Sequence, residues 1–128
     1  ATDDAHTYDE FRPDRANPGR GWDFVRVDEL TEQSILEALR TGEFYASNGV
    51  TLNDVSSDTS ALSLSIQTTS TESFITRFAG MNGRVLSERI GTAAHYSIKG
   101  DEGYVRATVI SSTGAKAWVQ PVFLNPIT

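Results

Sequence analysis

A series of short alternating segments that begins at Val50 constrains the fold most. Apolar and polar residues alternate within each segment, and Gly, Asn, Asp or Ser residues separate one segment from the next. In the clearest segment, 61–66, Leu62, Leu64 and Ile66 are expected on one face, because successive strand side chains point to opposite sides. The expected strands are 50–55, 61–66, 74–78, 85–90, 95–99, 104–110 and 117–124. Short strands at even spacing with no helix between them are typical of an antiparallel β-sandwich.

Details of these segments add further expectations. The Asn82-Gly83 pair is the strongest hairpin signal in the chain. Pro121 interrupts the last run, which indicates an edge strand or a bulge there. Trp22, Tyr104 and Trp118 are expected to anchor the core, whereas exposed aromatic rings on a sheet would instead indicate glycan binding.

The residues before Val50 follow a different pattern. Residues 7–22 are rich in Pro, Gly, Asp and Arg and are expected to form a loop, and residues 22–27 then alternate as a short strand. The sequence next predicts a helix over 32–41, with Thr31 as its N-cap and Gly42 as its stop.

The predicted helix has a single apolar stripe, formed by Ile35, Leu36 and Leu39. A short helix with one apolar face must dock on another surface to be stable. That surface is expected to be another part of the same protein or a second copy of the chain, and the second arrangement would give a homodimer.

Composition excludes several classes of protein. The net charge of −6 and the lack of a basic run argue against a nucleic-acid partner. The absence of Cys excludes a disulfide framework and a thiolate zinc site, and it leaves the cellular compartment undetermined. No apolar run is long enough to span a bilayer, and no signal peptide is present, so no membrane partner is expected.

The first six residues carry the groups best suited to metal chemistry. Asp4 and His6 are two residues apart, so on an extended strand both side chains point the same way and can reach one metal ion or a metal pair. A carboxylate with an imidazole suits Zn, Mn or Fe. A terminal acidic segment without a metal explains the same residues equally well.

Other polar residues have weaker assignments. Asp3 can orient His6, or it can face away from it. Arg12, with Arg15 and Arg20, can hold a phosphate, or these arginines can be solvated loop charges. His95 has no carboxylate or histidine at ligand spacing and is expected to be an ordinary strand residue.

The chain resembles the closing section of the PHP (polymerase and histidinol phosphatase) family of metal-dependent phosphoesterases. The resemblance lies in ATDDAH at 1–6, GRGW at 19–22 and ELTEQSILEALRTGEFYASNGV at 29–50. It continues more weakly in DEGYVRA at 101–107 and AWVQP at 117–121, which are similar to a β-sandwich that many bacterial members append. Members have a distorted (β/α)₇ barrel whose last strand motif is D-x-H, here Asp4 and His6.

The resemblance implies a division of the chain and a set of partners. Residues 1–49 would be the end of the barrel, with a loop and one short α-helix, and residues 50–128 an immunoglobulin-like antiparallel β-sandwich. Asp4 and His6 would be ligands of a divalent metal site (Zn, Mn or Fe) that acts on a small phosphoester in the parent protein. The H-x-H motif and the middle Glu and His ligands of the family are absent, so this chain alone is expected to be inactive without its barrel, and whether its two ligands bind a metal without the barrel is left open.

Two hypotheses therefore follow from the sequence. The first is the carboxy-terminal part of a PHP-type hydrolase with an accessory sandwich. The alternative is a non-catalytic sandwich that binds glycan or protein, with the leading residues as a linker. Convergence of Asp4 and His6 at a strand end would favour the enzyme.

Overall fold

The computed structural model describes residues 21–68 and 71–124. Over these residues the protein is mainly β, with ten strands, one α-helix and two antiparallel sheets. The strands are β1 (Trp22–Val25), β2 (Phe44–Ser47), β3 (Leu52–Ser57), β4 (Ala61–Ile66), β5 (Phe74–Ala79), β6 (Val85–Ile90), β7 (Ala93–Ser97), β8 (Tyr104–Ser111), β9 (Lys116–Val119) and β10 (Val122–Phe123). Helix α1 (Glu32–Thr41) lies between β1 and β2.

The strands form a larger and a smaller sheet. The larger sheet has the order β1-β2-β9-β8-β5-β6, and β10 also pairs with β8. The smaller sheet has the order β3-β4-β7. The prediction of a mainly β, antiparallel and sandwich-like fold is therefore confirmed.

One apolar core lies between the two sheets. Leu62, Leu64 and Ile66 of β4 are buried in it, which confirms the expected inward face of that strand. Phe78 of the larger sheet stacks on Tyr96 of the smaller sheet, with ring centroids 5.5 Å apart. The other buried members of this core are Tyr45, Val50, Leu52, Phe74, Ala94, Val105, Ala107, Val109, Ala117 and Val119.

Helix α1 has the predicted bounds. The Thr31 hydroxyl accepts a hydrogen bond from the backbone N–H of Ser34 at 3.1 Å, and Gly42 adopts the left-handed conformation that ends many helices. Within the helix only Ala38 is buried. The predicted apolar stripe is thus largely exposed on the described part of the protein, with Leu36 at 56% and Leu39 at 39% exposure.

Two local signals behave as expected. Residues Met81–Gly83 form a 3₁₀ turn between β5 and β6, and Asn82 and Gly83 both have positive φ. Pro121 lies between β9 and β10, so it divides the run predicted over 117–124 into two short strands. No helix within residues 21–68 and 71–124 is long and apolar enough to cross a membrane.

Other expectations differ from the structure. Residues 44–47 were not expected to form a strand, yet β2 pairs with both β1 and β9. The described part of residues 1–49 therefore contributes β1 and β2 to the same sheet as β9. The strand predicted over 50–55 begins at Leu52, after a turn in which the Ser47 hydroxyl donates to the Val50 carbonyl at 2.6 Å.

The expectation that Trp118 anchors the core is wrong. Its neighbours Ala117 and Val119 are buried, so the alternation of β9 directs Trp118 to the outer face, where 39% of it is exposed. Trp22 and Tyr104 are half-buried.

Candidate functional site

The predicted metal ligands lie outside the described residues. Asp4 and His6, together with Asp3 and Arg12, all precede Gly21. Within residues 21–68 and 71–124, no group of three or more His, Cys, Asp or Glu side chains is arranged to hold a metal ion. The metal site remains a prediction from the sequence.

His95 lies on the exposed face of the smaller sheet, in β7, and is the strand residue that the sequence predicts. Its Nδ1 lies 2.6 Å from the Ser63 hydroxyl, and its Nε2 lies 3.1 Å from the Ser97 hydroxyl. A catalytic serine–histidine pair needs a carboxylate or a similar group on the second ring nitrogen to fix the tautomer. Here both nitrogens contact serine hydroxyls on an open sheet face, so neither nitrogen has the carboxylate partner that such a pair needs.

A cleft of about 550 Å³ lies between the two sheets of the described protein. It opens where β1 and β2 of the larger sheet lie opposite β3, an edge strand of the smaller sheet. Residues lining the cleft are Phe24, Val25, Arg26, Gly42, Glu43, Phe44, Tyr45, Thr51, Leu52, Asn53, Asp54, Val55, Ser56, Ser57, Val119 and Gln120. Ligand-binding clefts have volumes of about 300–1,000 Å³, so this one is large enough for a small ligand.

Arg26 spans this cleft directly after β1. Its Nη2 donates to the Val55 carbonyl of β3 at 2.6 Å and lies 3.6 Å from an Asp54 carboxylate oxygen. Its Nη1 lies 3.7 Å from the Glu43 carboxylate, and its backbone N–H donates to the Glu43 carbonyl at 2.8 Å. All three charged side chains are more than half exposed. We refer to Arg26, Glu43 and Asp54 as the Arg26 cluster.

The cleft also has an aromatic floor. The rings of Phe24 and Tyr45 stack with centroids 4.9 Å apart. The backbone N–H of Leu52 donates to the Tyr45 hydroxyl at 2.8 Å, which ties the floor to β3. Burial raises the pKa of Tyr45, and the hydrogen bond from Leu52 opposes that rise. Tyr45 is therefore a neutral hydrogen-bonding group at ordinary pH.

A second polar cluster lies in the loop between β7 and β8 and is buried. The Glu102 carboxylate accepts hydrogen bonds from the Tyr96 hydroxyl at 2.7 Å, from the Lys99 N–H at 2.8 Å and from the Gly100 N–H at 2.7 Å. Burial alone would raise the pKa of Glu102, but these hydrogen bonds outweigh it and lower the pKa to about 2. Burial and the bond to Glu102 raise the pKa of Tyr96 to about 12. We refer to Glu102 and its donors as the Glu102 cluster.

Sequence reasoning identified neither cluster. Arg26, Glu43 and Asp54 come from three separate elements and form no motif. For Glu102, the glycines on either side of Asp101-Glu102 are the one sequence signal that the loop folds back tightly. Comparison with protein-family models, with curated proteins and with solved structures found no match to the chain.

Proposed function

We propose that this chain is the carboxy-terminal part of a PHP-type metal-dependent phosphoesterase. In this proposal Asp4 and His6 are metal ligands in the parent protein, and the later strands form an immunoglobulin-like accessory domain. The support is the resemblance described above, which extends over most of the chain and includes the D-x-H motif at its start.

The structural observation that carries the proposal is the exposed apolar face of α1. Leu30, which precedes the N-cap Thr31, is 86% exposed, and Leu36 and Leu39 of the helix are exposed as well. An amphipathic helix ordinarily buries its apolar stripe against a partner. The resemblance assigns this helix to the end of the barrel, so the barrel is the partner that we propose for these leucines.

The chemistry expected of the amino-terminal residues follows from their donor atoms. An oxygen and a nitrogen ligand suit a Zn, Mn or Fe ion, which supplies hydroxide at neutral pH and polarises a phosphoryl oxygen. Asp4 and His6 would hold that ion, Asp3 would keep the His6 ring in its ligating orientation, and Arg12 would bind phosphate oxygens.

The test uses the parent protein, extended upstream to include the barrel. We expect Mn²⁺- or Zn²⁺-dependent hydrolysis of p-nitrophenyl phosphate that falls about 100-fold or more in the double variant Asp4→Ala/His6→Ala. The variant Leu36→Gln should lower the melting temperature of the parent protein, where we expect the barrel to cover Leu36. It should leave the melting temperature of the present chain unchanged, because Leu36 is exposed in this chain. Metal-independent hydrolysis, or full activity of the double variant, would contradict the proposal.

A second candidate function is supported by different residues. The polar cleft favours a non-catalytic module that binds glycan or protein. The two functions are compatible if the binding module is the accessory domain of the enzyme. Variants can distinguish them, because hydrolysis depends on Asp4 and His6 whereas ligand binding depends on the cleft.

A further inference from the structure

We propose that the cleft between β1–β2 and β3 binds a neutral oligosaccharide, whose hydroxyl groups the Arg26 cluster recognises. The inference rests on the second candidate function and needs no metal. Three observations support it: the residue types in the lining, the charge of the lining, and the hydrogen bonds that side chains already make to the backbone of the edge strand β3.

The lining offers both donors and acceptors close together. The Glu43 and Asp54 carboxylates accept hydrogen bonds, and the Arg26 guanidinium donates them. Hydroxyl and amide side chains surround these charges, namely Thr51, Asn53, Ser56, Ser57 and Gln120. A sugar hydroxyl donates one hydrogen bond and accepts others, so a polyhydroxylated ligand satisfies this mixed set better than an apolar ligand does.

The aromatic residues of the cleft suit the apolar C–H face of a sugar ring. Carbohydrate rings present C–H groups as well as hydroxyls, and aromatic side chains pack against such apolar faces. Phe24 lines the cleft and is half-buried, so part of its ring is available to a ligand, and the buried Tyr45 ring stacks behind it. Polar side chains in the lining can bind the hydroxyl groups of a saccharide, and the partly exposed Phe24 ring can pack against its C–H face.

Charge around the cleft disfavours an anionic ligand. The charged residues in the lining are the two carboxylates of Glu43 and Asp54 and the single guanidinium of Arg26. A phosphate-bearing polymer would meet the carboxylates of Glu43 and Asp54 at close range, and only Arg26 would compensate for them. We therefore expect an uncharged ligand.

An extended peptide is disfavoured by the hydrogen bonds already made along β3. Peptides that add to a sheet edge use its free backbone N–H and C=O groups. Here Arg26 occupies the Val55 carbonyl, and Tyr45 occupies the Leu52 N–H. The pairing of β3 with β4 also shifts register between Leu52 and Asp54. A peptide would have to displace both side chains along a strand of six residues.

The test is isothermal titration of the chain with neutral trisaccharides of glucose, xylose, mannose and N-acetylglucosamine. We expect at least one of them to bind, and the variant Asp54→Asn to weaken that binding by at least about tenfold, because a hydrogen bond to a charged group is lost. The matched control is Asp101→Asn, the same change on an exposed loop outside the cleft lining. Asp54 is exposed, so its variant should remain folded.

Two further variants separate this site from the others. Asp4→Ala/His6→Ala should bind the trisaccharide as the unaltered chain does, even though it inactivates the proposed enzyme. Trp118→Ala should also retain binding, since Trp118 lies on the outer face of the larger sheet.

The proposal is overturned if no trisaccharide binds, or if a titration with peptides or with a phosphate polymer gives the only binding. It is equally overturned if Trp118→Ala abolishes binding while Asp54→Asn does not, because the ligand would then lie on the sheet face. Backbone amide chemical shifts that move over Asn53–Ser57 on titration would confirm the cleft.

Discussion

The Glu102 cluster and the Arg26 cluster use the same kinds of groups in opposite surroundings. Glu102 is 1% exposed and accepts three hydrogen bonds from fixed donors. Arg26 also joins separate elements, but its side chain is 58% exposed and those of its carboxylate partners are 54% and 72% exposed. The comparison shows how burial decides whether a charge stabilises the fold or is available to a ligand.

The physical difference lies in the solvent. Water screens an exposed ion pair, and ordering two long side chains reduces their entropy, so such pairs contribute about 0–1 kcal/mol. A buried carboxylate has no water to replace its partners, so each donor that it loses leaves an unsatisfied group. We therefore expect the Glu102 cluster to determine stability and the Arg26 cluster to have little effect on it.

The largest expected effect is that of Glu102→Ala. This change removes the acceptor of the Tyr96 hydroxyl and of the Lys99 and Gly100 amides, and it leaves a cavity between them. We expect the free energy of unfolding to fall by about 4 kcal/mol, measured by urea denaturation.

The control for this prediction is Asp101→Ala, the exposed acidic neighbour of Glu102. We expect it to change the free energy of unfolding by less than about 0.5 kcal/mol. Equal effects of the two variants would show that the buried hydrogen bonds do not support the fold, and the contrast drawn above would fail.

These two neighbours also show what the sequence could predict. The residue types alone do not distinguish Asp101 from Glu102, because Glu102 is buried beside Tyr96 of β7 and bonds to its hydroxyl. Helix α1 was predicted with its correct bounds because its signals, Thr31 and Gly42, act within one helical turn. The inward face of β4 was predicted for a similar reason, since alternation is a local pattern.

Features that depend on distant parts of the chain were not predictable in this way. Strand β2 is stabilised by pairing with β9, which lies far along the chain, and its four residues carry only a weak alternating pattern. The Arg26 cluster needs the end of β1, the residue after Gly42 and the bulge in β3 to meet. No spacing in the sequence indicates that meeting.

The second prediction is that the free energy of unfolding depends on pH through the buried Glu102 carboxyl. A carboxyl whose pKa falls from 4.5 to about 2 on folding stabilises the folded state at neutral pH. As the pH falls from 4.5 towards 2, the unfolded chain binds a proton at Glu102 before the folded chain does. The unfolded state is thereby favoured, and stability should decrease over this window.

Urea denaturation at several pH values between 7 and 2 measures this loss, and Glu102→Gln is its control. The amide cannot ionise, so the difference in unfolding free energy between the unaltered chain and this variant should shrink as the pH approaches 2. Asp58, whose pKa is lowered by hydrogen bonds from Ser60, contributes equally to both proteins and cancels. A difference that is independent of pH would contradict the assignment of a lowered pKa to Glu102.

The smallest expected effect is that of Arg26→Ala, although this arginine makes more polar contacts than any other charged residue at the cleft. Two exposed ion pairs and one hydrogen bond to the Val55 carbonyl should together contribute about 1 kcal/mol to the free energy of unfolding. The matched control is Arg40→Ala, which removes an exposed ion pair to Glu37 on α1 at 2.6 Å and should cost about 0.5 kcal/mol or less.

A loss above about 3 kcal/mol for Arg26→Ala alone would show that Arg26 holds the two sheets together as Glu102 holds its loop. A small loss combined with loss of trisaccharide binding would instead assign the exposed cluster to recognition, because these charges then contribute more to a bound ligand than to the fold.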